Sequence, residues 1–421
     1  MVRSVLSVSA GLFAAGVAIA SVAGVDPDQP LDPDLTIRLP EGFVAEEIHP
    51  GVGPARHLTV RENGDILIAR RDGRIVGLRD GDGDGVYETE ERHRAAVSTG
   101  IAIRDGFLYY SNDVSVRRAP LSDALLPDFD AETVIVAGFE RQRAHSDKTF
   151  AFDTDGALYV NSGAPSNACQ EAVRTPFSPG RSPCDELERQ GGIWRFPADR
   201  TGMSQADGER YATGARNALA LAWHPRFNAL YTVVHGRDSL DTLFPETYSL
   251  EDRVERPAEE FHRVEPGDDL GWPYTFWDPV DNVRRPAPEY GGGRHDVDDT
   301  GDYKTPLIGF PAHWAPNGLM FYQGDQFPAD YRDGAFIAFH GSWNRAPQGQ
   351  RGYRIVFVPM ADGAPSGDWV TFADGFTGQL EDIRSPRDAD HRPMGLAEGP
   401  DGALYIADSV KGRIWRVRWD G

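Results

Sequence analysis

The sequence predicts an all-β protein, a six-bladed β-propeller with long loops between its strands. With 46 Gly and 31 Pro among 421 residues, the composition suits short strands joined by turns and argues against a helix bundle. Six stretches repeat one pattern of apolar strands separated by Asp-Gly or Asn-Gly turns. No linker interrupts this repeat, so we expect a single propeller domain over residues 24–421.

The repeat is clearest at the end of the chain, where Gly395–Ala397 is followed by an Asp401-Gly402 turn and the strands Leu404–Ala407 and Ile414–Val417. Each unit gives three or four strands, and such a sheet buries both faces only against neighbouring sheets. Units that recur about every 40 residues are typical of propeller blades, whereas two separate β-sandwiches would not carry one pattern from end to end. Phe43–Ile48 is predicted to supply the outer strand that closes the last blade onto the first. The other units contain His57, Ile101, Thr149, Ala218 and Gly318.

Residues 1–23 are predicted to be a signal peptide. Arg3 gives a positive start, and the apolar stretch from Val5 to about Ala20 is followed by small residues. An uncleaved membrane anchor is the alternative, but the stretch is short and rich in Ala and Gly. We therefore expect a periplasmic or secreted protein that is not stably inserted in a membrane once the signal is removed.

Charge and cysteine content exclude several classes of protein. Lys and Arg number 43 against 65 Asp and Glu, a formal charge of −22 that argues against a nucleic-acid partner. Two cysteines are too few for an iron–sulfur cluster or a disulfide-dense scaffold. In an oxidising compartment Cys169 and Cys184 can form a disulfide across a short loop, and two unpaired thiols are the alternative.

Polar residues recur at the starts of the predicted blades, which in a propeller face the central channel. His145 leads the third unit, Arg216-Asn217 the fourth, Asn317 the fifth and Arg392 the sixth. Core packing gives no reason for polar residues there, so their recurrence indicates a shared site. Several Arg with one His suit a ligand with several negative charges and a group that can move a proton. No dinucleotide-binding, P-loop or serine-hydrolase motif accompanies them.

The stretch His145–Val160 resembles the third-blade segment of the soluble quinoprotein sugar dehydrogenases, particularly the sorbosone-dehydrogenase-like branch. Four further segments resemble the same family and occur in the same order along the chain: Gly214–Asn217, Leu270–Tyr274, His340–Arg345 and Arg392–Gly395. The resemblance implies a six-bladed propeller that binds pyrroloquinoline quinone (PQQ) through calcium. It also implies oxidation of a sugar, aldose or related hydroxy-aldehyde, with electrons passing to an unidentified acceptor.

The resemblance also implies roles for individual residues. His145 matches the general base that takes the substrate hydroxyl proton while hydride passes to the quinone. Arg216 and Asn217 match residues beside the quinone, and Arg392 matches an Arg that pairs with a PQQ carboxylate. The backbone carbonyls of Gly236 and Arg237 fall at the catalytic calcium, His235 stands where the family often has glutamine, and Arg345 falls near a family lysine.

Two positions depart from the family pattern. Ala164 replaces the acidic partner that orients the catalytic His, and Met394 replaces a second cofactor-pocket Arg. We therefore expect Asp147 or a residue of the Ala164–Gln190 loop to support the basicity of His145. The same departures favour a non-catalytic binding propeller as one alternative. A calcium-dependent lactonase-like hydrolase is the other, although it would prefer Glu, Asp and Asn in the channel.

A second calcium site is predicted between two strands of the first unit. Residues 80–91 fit an EF-hand-type loop, although strands rather than helices flank it. Its ligands would be Asp80, Asp82, Asp84, the Val86 carbonyl, Glu88 through water, and Glu91. An acidic, solvated turn is the alternative.

Overall fold

Six four-stranded antiparallel sheets form a ring in the computed structural model. It describes residues 22–29, 31, 37–197, 199–378 and 383–421. The first strands of neighbouring blades lie against one another around a central channel. The predicted six-bladed β-propeller is therefore confirmed. The predicted signal peptide falls outside the described residues except for its last two positions.

Blades 1 to 3 are each built from strands in chain order, beginning at the channel. Blade 1 contains Ala55–Val60, Ile66–Arg70, Arg74–Arg79 and Thr89–Arg94. Blade 2 contains Ile101–Arg104, Phe107–Ser111, Ser115–Pro120 and Thr133–Ala137, with Met203–Ser204 added in parallel at its edge. Blade 3 contains Phe150–Phe152, Ala157–Ser162, Gly192–Pro197 and Glu209–Thr213, with Asp268–Asp269 added in parallel.

Blades 4 and 5 follow the same plan, and blade 6 is closed by a strand from the other end of the chain. Blade 4 contains Ala220–His224, Ala229–Val234, Glu259–Val264 and Ile308–Phe310. Blade 5 contains Pro316–Phe321, Ala335–Phe339, Arg354–Val358 and Val370–Ala373. Blade 6 contains Pro393–Glu398, Leu404–Asp408, Ile414–Trp419 and, as its outer strand, Phe43–His49. Phe43 pairs with Trp419 in antiparallel register, which confirms the predicted closing strand.

The second strand of blade 1 shows why the sequence alternates as it does. Ile66 and Ile68 enter the core shared with blade 6, whereas Leu67 and Ala69 enter the core shared with blade 2. Successive side chains of a strand point to opposite faces, so one strand serves two cores. An apolar core of this kind lies between each pair of neighbouring blades, and burial of a large apolar side chain contributes about 1.5–3 kcal/mol.

Long loops are predicted at residues 164–190, 236–259 and 276–309, and the structure places the first within blade 3 and the other two within blade 4. The first carries a disulfide between Cys169 and Cys184, which confirms that pairing. The other two are more regular than the sequence indicates. Helices α1 (Leu240–Leu243) and α2 (Leu250–Glu255) lie in one, and a hairpin of Thr275–Asp278 with Val283–Pro286 begins the other.

Short elements complete the part of the chain that the structure describes. A second small hairpin joins Met360–Ala361 to Ala364–Pro365. The 3₁₀ turns are Phe129–Ala131, Asp185–Glu188, Gln205–Asp207, Pro288–Tyr290, Ala329–Tyr331 and Pro386–Asp388. Within the described ranges, no helix has the length and apolar character needed to cross a membrane.

Candidate active site

His145 stands immediately before blade 3 with its imidazole in a fixed orientation. Its backbone is left-handed, with φ of 49°, and its Nδ1 lies 2.7 Å from the backbone carbonyl oxygen of Ala164. A carbonyl only accepts, so Nδ1 carries the hydrogen and Nε2 keeps the lone pair. Among the described residues, none hydrogen-bonds to Nε2. Burial, helped by the charge of Arg216, lowers the pKa of His145 to about 3, so the ring is neutral and able to accept a proton.

The expected support of His145 by Asp147 is wrong. Asp147 instead pairs with Arg56 of blade 1, with 2.8 Å between carboxylate and guanidinium. The support comes from the predicted Ala164–Gln190 loop, through a main-chain oxygen of its first residue. Gly163 makes this approach possible, because a Cβ there would lie 2.7 Å from the Cβ of His145.

Arg216 is buried, and its guanidinium donates hydrogen bonds to four acceptors. Its Nη1 donates to the Gly236 carbonyl at 2.8 Å, and its Nε donates to the Asn167 carbonyl at 3.2 Å. Its Nη2 donates at 3.0 Å to the side chains of both Asn167 and Asp238. Burial would raise the pKa of Asp238, but the charges of Arg216 and nearby groups lower it to about 2. The guanidinium is therefore fixed beside His145 by an ionised carboxylate.

Two asparagines of the site keep a buried side-chain oxygen without a partner. Within the described residues, the Oδ1 atoms of Asn217 and Asn317 are buried and form no hydrogen bond. The Nδ2 of Asn317 lies 3.2 Å from the Sδ of Met394. A buried polar atom without a partner is costly, so these two oxygens are candidate contacts for a ligand that donates or for a cation.

Positive charge gathers on the opposite side of the channel. Arg392 donates to the carbonyls of His340 and Gly341, at 2.9 Å and 2.8 Å. Burial and the charges of Arg392 and Arg56 lower the pKa of His340 well below its usual value. Arg71 also acts electrostatically on both Arg392 and His340. A chain of net charge −22 thus places three guanidinium groups near one another at its channel.

Arg56 and His57 were missed by sequence reasoning. They stand at the start of the first strand of blade 1, as Arg216 and Asn217 stand before that of blade 4. This equivalent position was the available signal. The Nε2 of His57 lies 2.7 Å from the carbonyl of Asn317, which ties blade 1 to the site across the channel.

The predicted calcium carbonyls lie beside a buried carboxyl group. The amide of Gly236 donates to Glu259 at 2.9 Å, and its carbonyl accepts from Arg216. Glu259 also accepts from the amide of Ala315 at 3.1 Å, and burial raises its pKa to about 8. The side chain of the other predicted residue, Arg237, pairs with Glu289. No side-chain pattern in the sequence singled out Glu259.

His235 and Arg345 lie at the edges of this site. The Nε2 of His235 lies 2.8 Å from the Pro316 carbonyl, and burial together with the charge of Arg216 lowers its pKa to about 4. Arg345 is occupied by helix α2, since its Nη1 donates to the Val254 carbonyl at 2.6 Å and its Nη2 pairs with Glu255 at 3.0 Å. The structure thus brings His235 to Arg216, and commits most of the Arg345 guanidinium to α2.

In the acidic turn of blade 1, residues 80–91, the carboxylates that lie close together are not the full set predicted to bind calcium. Oxygens of Asp80, Asp82 and Glu88 lie within 4.8 Å of one another. Asp84 is not in this group and accepts from the Val86 amide at 2.8 Å. Glu91 lies in the outer strand, opposite Gly77. The arrangement therefore differs from an EF-hand, in which the last residue of the loop closes the site.

Comparison with known proteins agrees with this architecture. Residues 37–420 match the model of a protein family described as TrAA12-like. The chain belongs to the TrAA12-like family. Its sequence is 28% identical over 213 residues, half of this chain and 49% of the other, to an uncharacterized protein of Borreliella burgdorferi. It is also 28% identical over 172 residues to a pyrroloquinoline quinone-dependent pyranose dehydrogenase of Coprinopsis cinerea, covering 35% of this chain and 22% of that protein. These matches span about half or less of the relatives' length.

Solved structures show the same fold for this TrAA12-like chain. The holo form of the PQQ domain of the Coprinopsis cinerea pyranose dehydrogenase has a TM-score of 0.72 at 18% identity, covering 93% of this chain and 99% of that one. A Trichoderma reesei enzyme of carbohydrate-active family AA12 has the same TM-score and identity, covering 90% and 97%. The soluble aldose sugar dehydrogenase of Escherichia coli has a TM-score of 0.57 at 17% identity, covering 90% and 99%.

Proposed function

We propose that this protein is a PQQ- and calcium-dependent dehydrogenase that oxidises a hydroxyl group of a sugar, an aldose or a related hydroxy-aldehyde. The observation that carries the proposal is the imidazole of His145, whose Nδ1 contacts the Ala164 carbonyl and whose Nε2 is left without a partner near the fixed guanidinium of Arg216. Family membership and the pyranose dehydrogenase relative support the same chemistry. We also propose that the protein works in the periplasm or outside the cell, with an electron acceptor still to be identified.

The residues present fit both PQQ and a calcium ion. PQQ carries three carboxylates, which suit Arg71 and Arg392 as charge partners, whereas Arg56 is already paired with Asp147. The unpartnered oxygens of Asn217 and Asn317 lie on the same side as His145 and Arg216. The Gly236 carbonyl already accepts from the cationic Arg216, so a calcium ion there would take the place of that guanidinium, with the Glu259 carboxyl group next to it.

Bound PQQ would supply the hydride acceptor, and the chain supplies the proton acceptor. The Nε2 of His145 takes the hydroxyl proton, because Nδ1 is already a donor to Ala164. Burial first, and then the charge of Arg216, lower the pKa of His145, so its Nε2 is a weak base in the protein without a ligand. An anionic ligand beside the ring would raise that pKa, because a nearby negative charge favours the protonated imidazole.

Reconstitution tests this proposal. Purified protein is titrated with PQQ with and without Ca²⁺, and the absorbance of the quinone is followed. The loaded protein is then screened by dye reduction against sugars, aldehydes and lactones, with His145→Ala as the matched control. We expect calcium-dependent binding and dye reduction with sugars. Unchanged PQQ absorbance in the presence of Ca²⁺ would refute the proposal, and hydrolysis of a lactone without dye reduction would replace it by a hydrolase.

A further inference from the structure

The side-chain amide of Gln142 contacts the backbone on both sides of the His145 imidazole. Its Nε2 lies 2.8 Å from the Ala144 carbonyl, 3.0 Å from the His145 carbonyl and 2.8 Å from the Gly163 carbonyl. Three carbonyls can only accept, so the atom that faces them is the NH₂ group, and this fixes the orientation of the amide. Two N–H bonds are therefore distributed over three oxygens.

The other end of the same amide is also held. The Oε1 of Gln142 accepts from the Nε2 of Gln190 at 2.8 Å. Gln190 is buried, with 7% of its surface exposed, and its backbone amide donates to the Glu186 carbonyl at 2.9 Å. Both ends of the Gln142 amide thus have partners, so rotation of the amide would break every one of these bonds.

These contacts bear directly on the proposed base. His145 has a left-handed backbone, which is unfavourable for a residue with a Cβ and persists only when its surroundings hold it. Gln142 bonds to the carbonyl of His145 itself and to that of Gly163, the residue just before Ala164. The imidazole and the carbonyl that orients it are therefore both tied to one side chain.

We propose that Gln142 is a positioning residue for His145, doing through the backbone what a carboxylate does in relatives with an acidic partner. The proposal rests on the proposed function for its catalytic consequence, but not for the placement of the ring. It assigns to Gln142 and Gln190 the fixing of the Nδ1 contact of His145, and therefore the direction of its free Nε2.

The test compares Gln142→Glu and Gln142→Met with wild type. The first has the same shape but turns an oxygen towards three carbonyls, and the second removes the amide at similar size. Gln326→Met is the matched control, because Gln326 also bonds through both ends of its amide, to Trp419 in blade 6. Loss of alignment costs up to about 100-fold in rate, so we expect kcat to fall about 10- to 100-fold. KM and the Kd for PQQ should stay within about twofold of wild type, and the control should match wild type.

A second readout does not depend on turnover. The imidazole ¹H–¹³C signal of His145, assigned by its loss in His145→Ala, should shift in both Gln142 variants and stay in place in Gln326→Met. Gln190→Met leaves the three carbonyl contacts and should give a smaller shift, which keeps the test valid if a Gln142 variant folds poorly. An unmoved His145 signal would overturn the proposal, as would unchanged kcat in an active enzyme. If wild type binds PQQ but oxidises nothing, the proposed function fails, and the signal alone decides the role of Gln142.

Discussion

The imidazole of His145 is held by a main-chain oxygen, that of Ala164, at 2.7 Å from Nδ1. A carbonyl orients the ring and selects the tautomer as a carboxylate would, but it carries no net charge. It therefore stabilises the protonated ring less than a carboxylate would. The contact with the Ala164 carbonyl thus fixes the direction of Nε2 without placing a negative charge beside the ring.

Replacing the base should affect turnover and spare binding. His145→Ala is expected to lower kcat within the usual range of about 10²–10⁴-fold for loss of a general base, and nearer its lower end because no carboxylate assists the ring. Its Kd for PQQ should stay close to wild type, since the guanidinium groups are untouched. Stopped-flow dye reduction at saturating PQQ measures the effect. Equal rates for His145→Ala and wild type would remove His145 from the mechanism.

Restoring an acidic residue at position 164 should not restore a stronger base. Ala164 is fully buried, in an apolar cluster with Cys169, Cys184 and Trp272. A carboxyl group there would lack space and partners, so we expect Ala164→Asp to lose about 1–3 kcal/mol of unfolding free energy. Urea unfolding and kcat are the measurements, with Ala164→Ser as the smaller polar control. A stable variant with raised kcat would show that the cluster can admit a carboxylate.

The stability of the apoprotein should fall as the pH is lowered from about 6.5 to 4. Burial lowers the pKa of His57 and of His235 to about 4, so below 6.5 the unfolded chain binds protons that the folded chain does not. Each such group steepens the loss by at most about 1.4 kcal/mol per pH unit. Glu259, whose pKa is raised to about 8, has the opposite effect on stability: between pH 8 and 4.5 its protonation stabilises the folded protein as the pH falls. This single group offsets only part of the combined effect of the histidines.

The measurement is urea unfolding of the apoprotein at pH 7, 5.5 and 4.5. His57→Gln should flatten the dependence on pH relative to wild type. The same slope in His57→Gln and wild type would mean that His57 is charged in the folded protein.

Calcium should stabilise the acidic turn of blade 1 independently of PQQ. An ion that binds only the folded chain raises Tm, so Ca²⁺ is expected to raise it and a chelator to lower it. Asp82→Asn should weaken this response and leave the Kd for PQQ unchanged, because the turn joins the two outer strands of the blade. Exposed Asp299→Asn is the control. A wild-type response retained in Asp82→Asn would place the ion elsewhere.

Removing the disulfide should loosen the loop that orients both His145 and Arg216. The cysteines are 15 residues apart, a spacing for which a crosslink contributes about 3 kcal/mol, so Cys169→Ser with Cys184→Ser should lose up to that amount. Asn167 lies in the sequence between Ala164 and Cys169, and its side-chain oxygen accepts a hydrogen bond from Arg216. We therefore expect weaker PQQ binding as well, measured by titration beside urea unfolding. Full stability with full affinity would show that packing against Trp272 alone fixes the loop.

Much of the fold could be predicted because its signals are local and repeated. Each Asp-Gly or Asn-Gly turn marks a hairpin, and six units reinforce one period-two pattern. The same repetition located His145, Arg216, Asn217, Asn317 and Arg392 at the starts of blades. It also explains the closing strand, since a ring of blades leaves one open edge that Phe43–His49 covers.

The contacts that set the chemistry could not be predicted in the same way. The carbonyl of Ala164 and the three carbonyls around Gln142 are main-chain groups, and side-chain identity does not reveal where they point. Asp147 was expected to face His145, but its partner Arg56 comes from a blade 91 positions earlier in the chain. Arg345 is bound by α2, a helix within the predicted loop at residues 236–259.

The closing strand of blade 6 has a consequence for how the chain reaches its folded state. Arg418 contacts Glu46 across 372 positions, so Phe43–His49 finds its partner strand Ile414–Trp419 only after the strands of all the other blades have been made. Until then, the unpaired strand Phe43–His49 and the open edge of blade 6 can pair with other chains. Contacts so distant in sequence also form slowly. A chain that stops before Ile414 would lack the strand with which Phe43–His49 pairs. We expect such a chain to aggregate rather than to persist as a five-bladed ring.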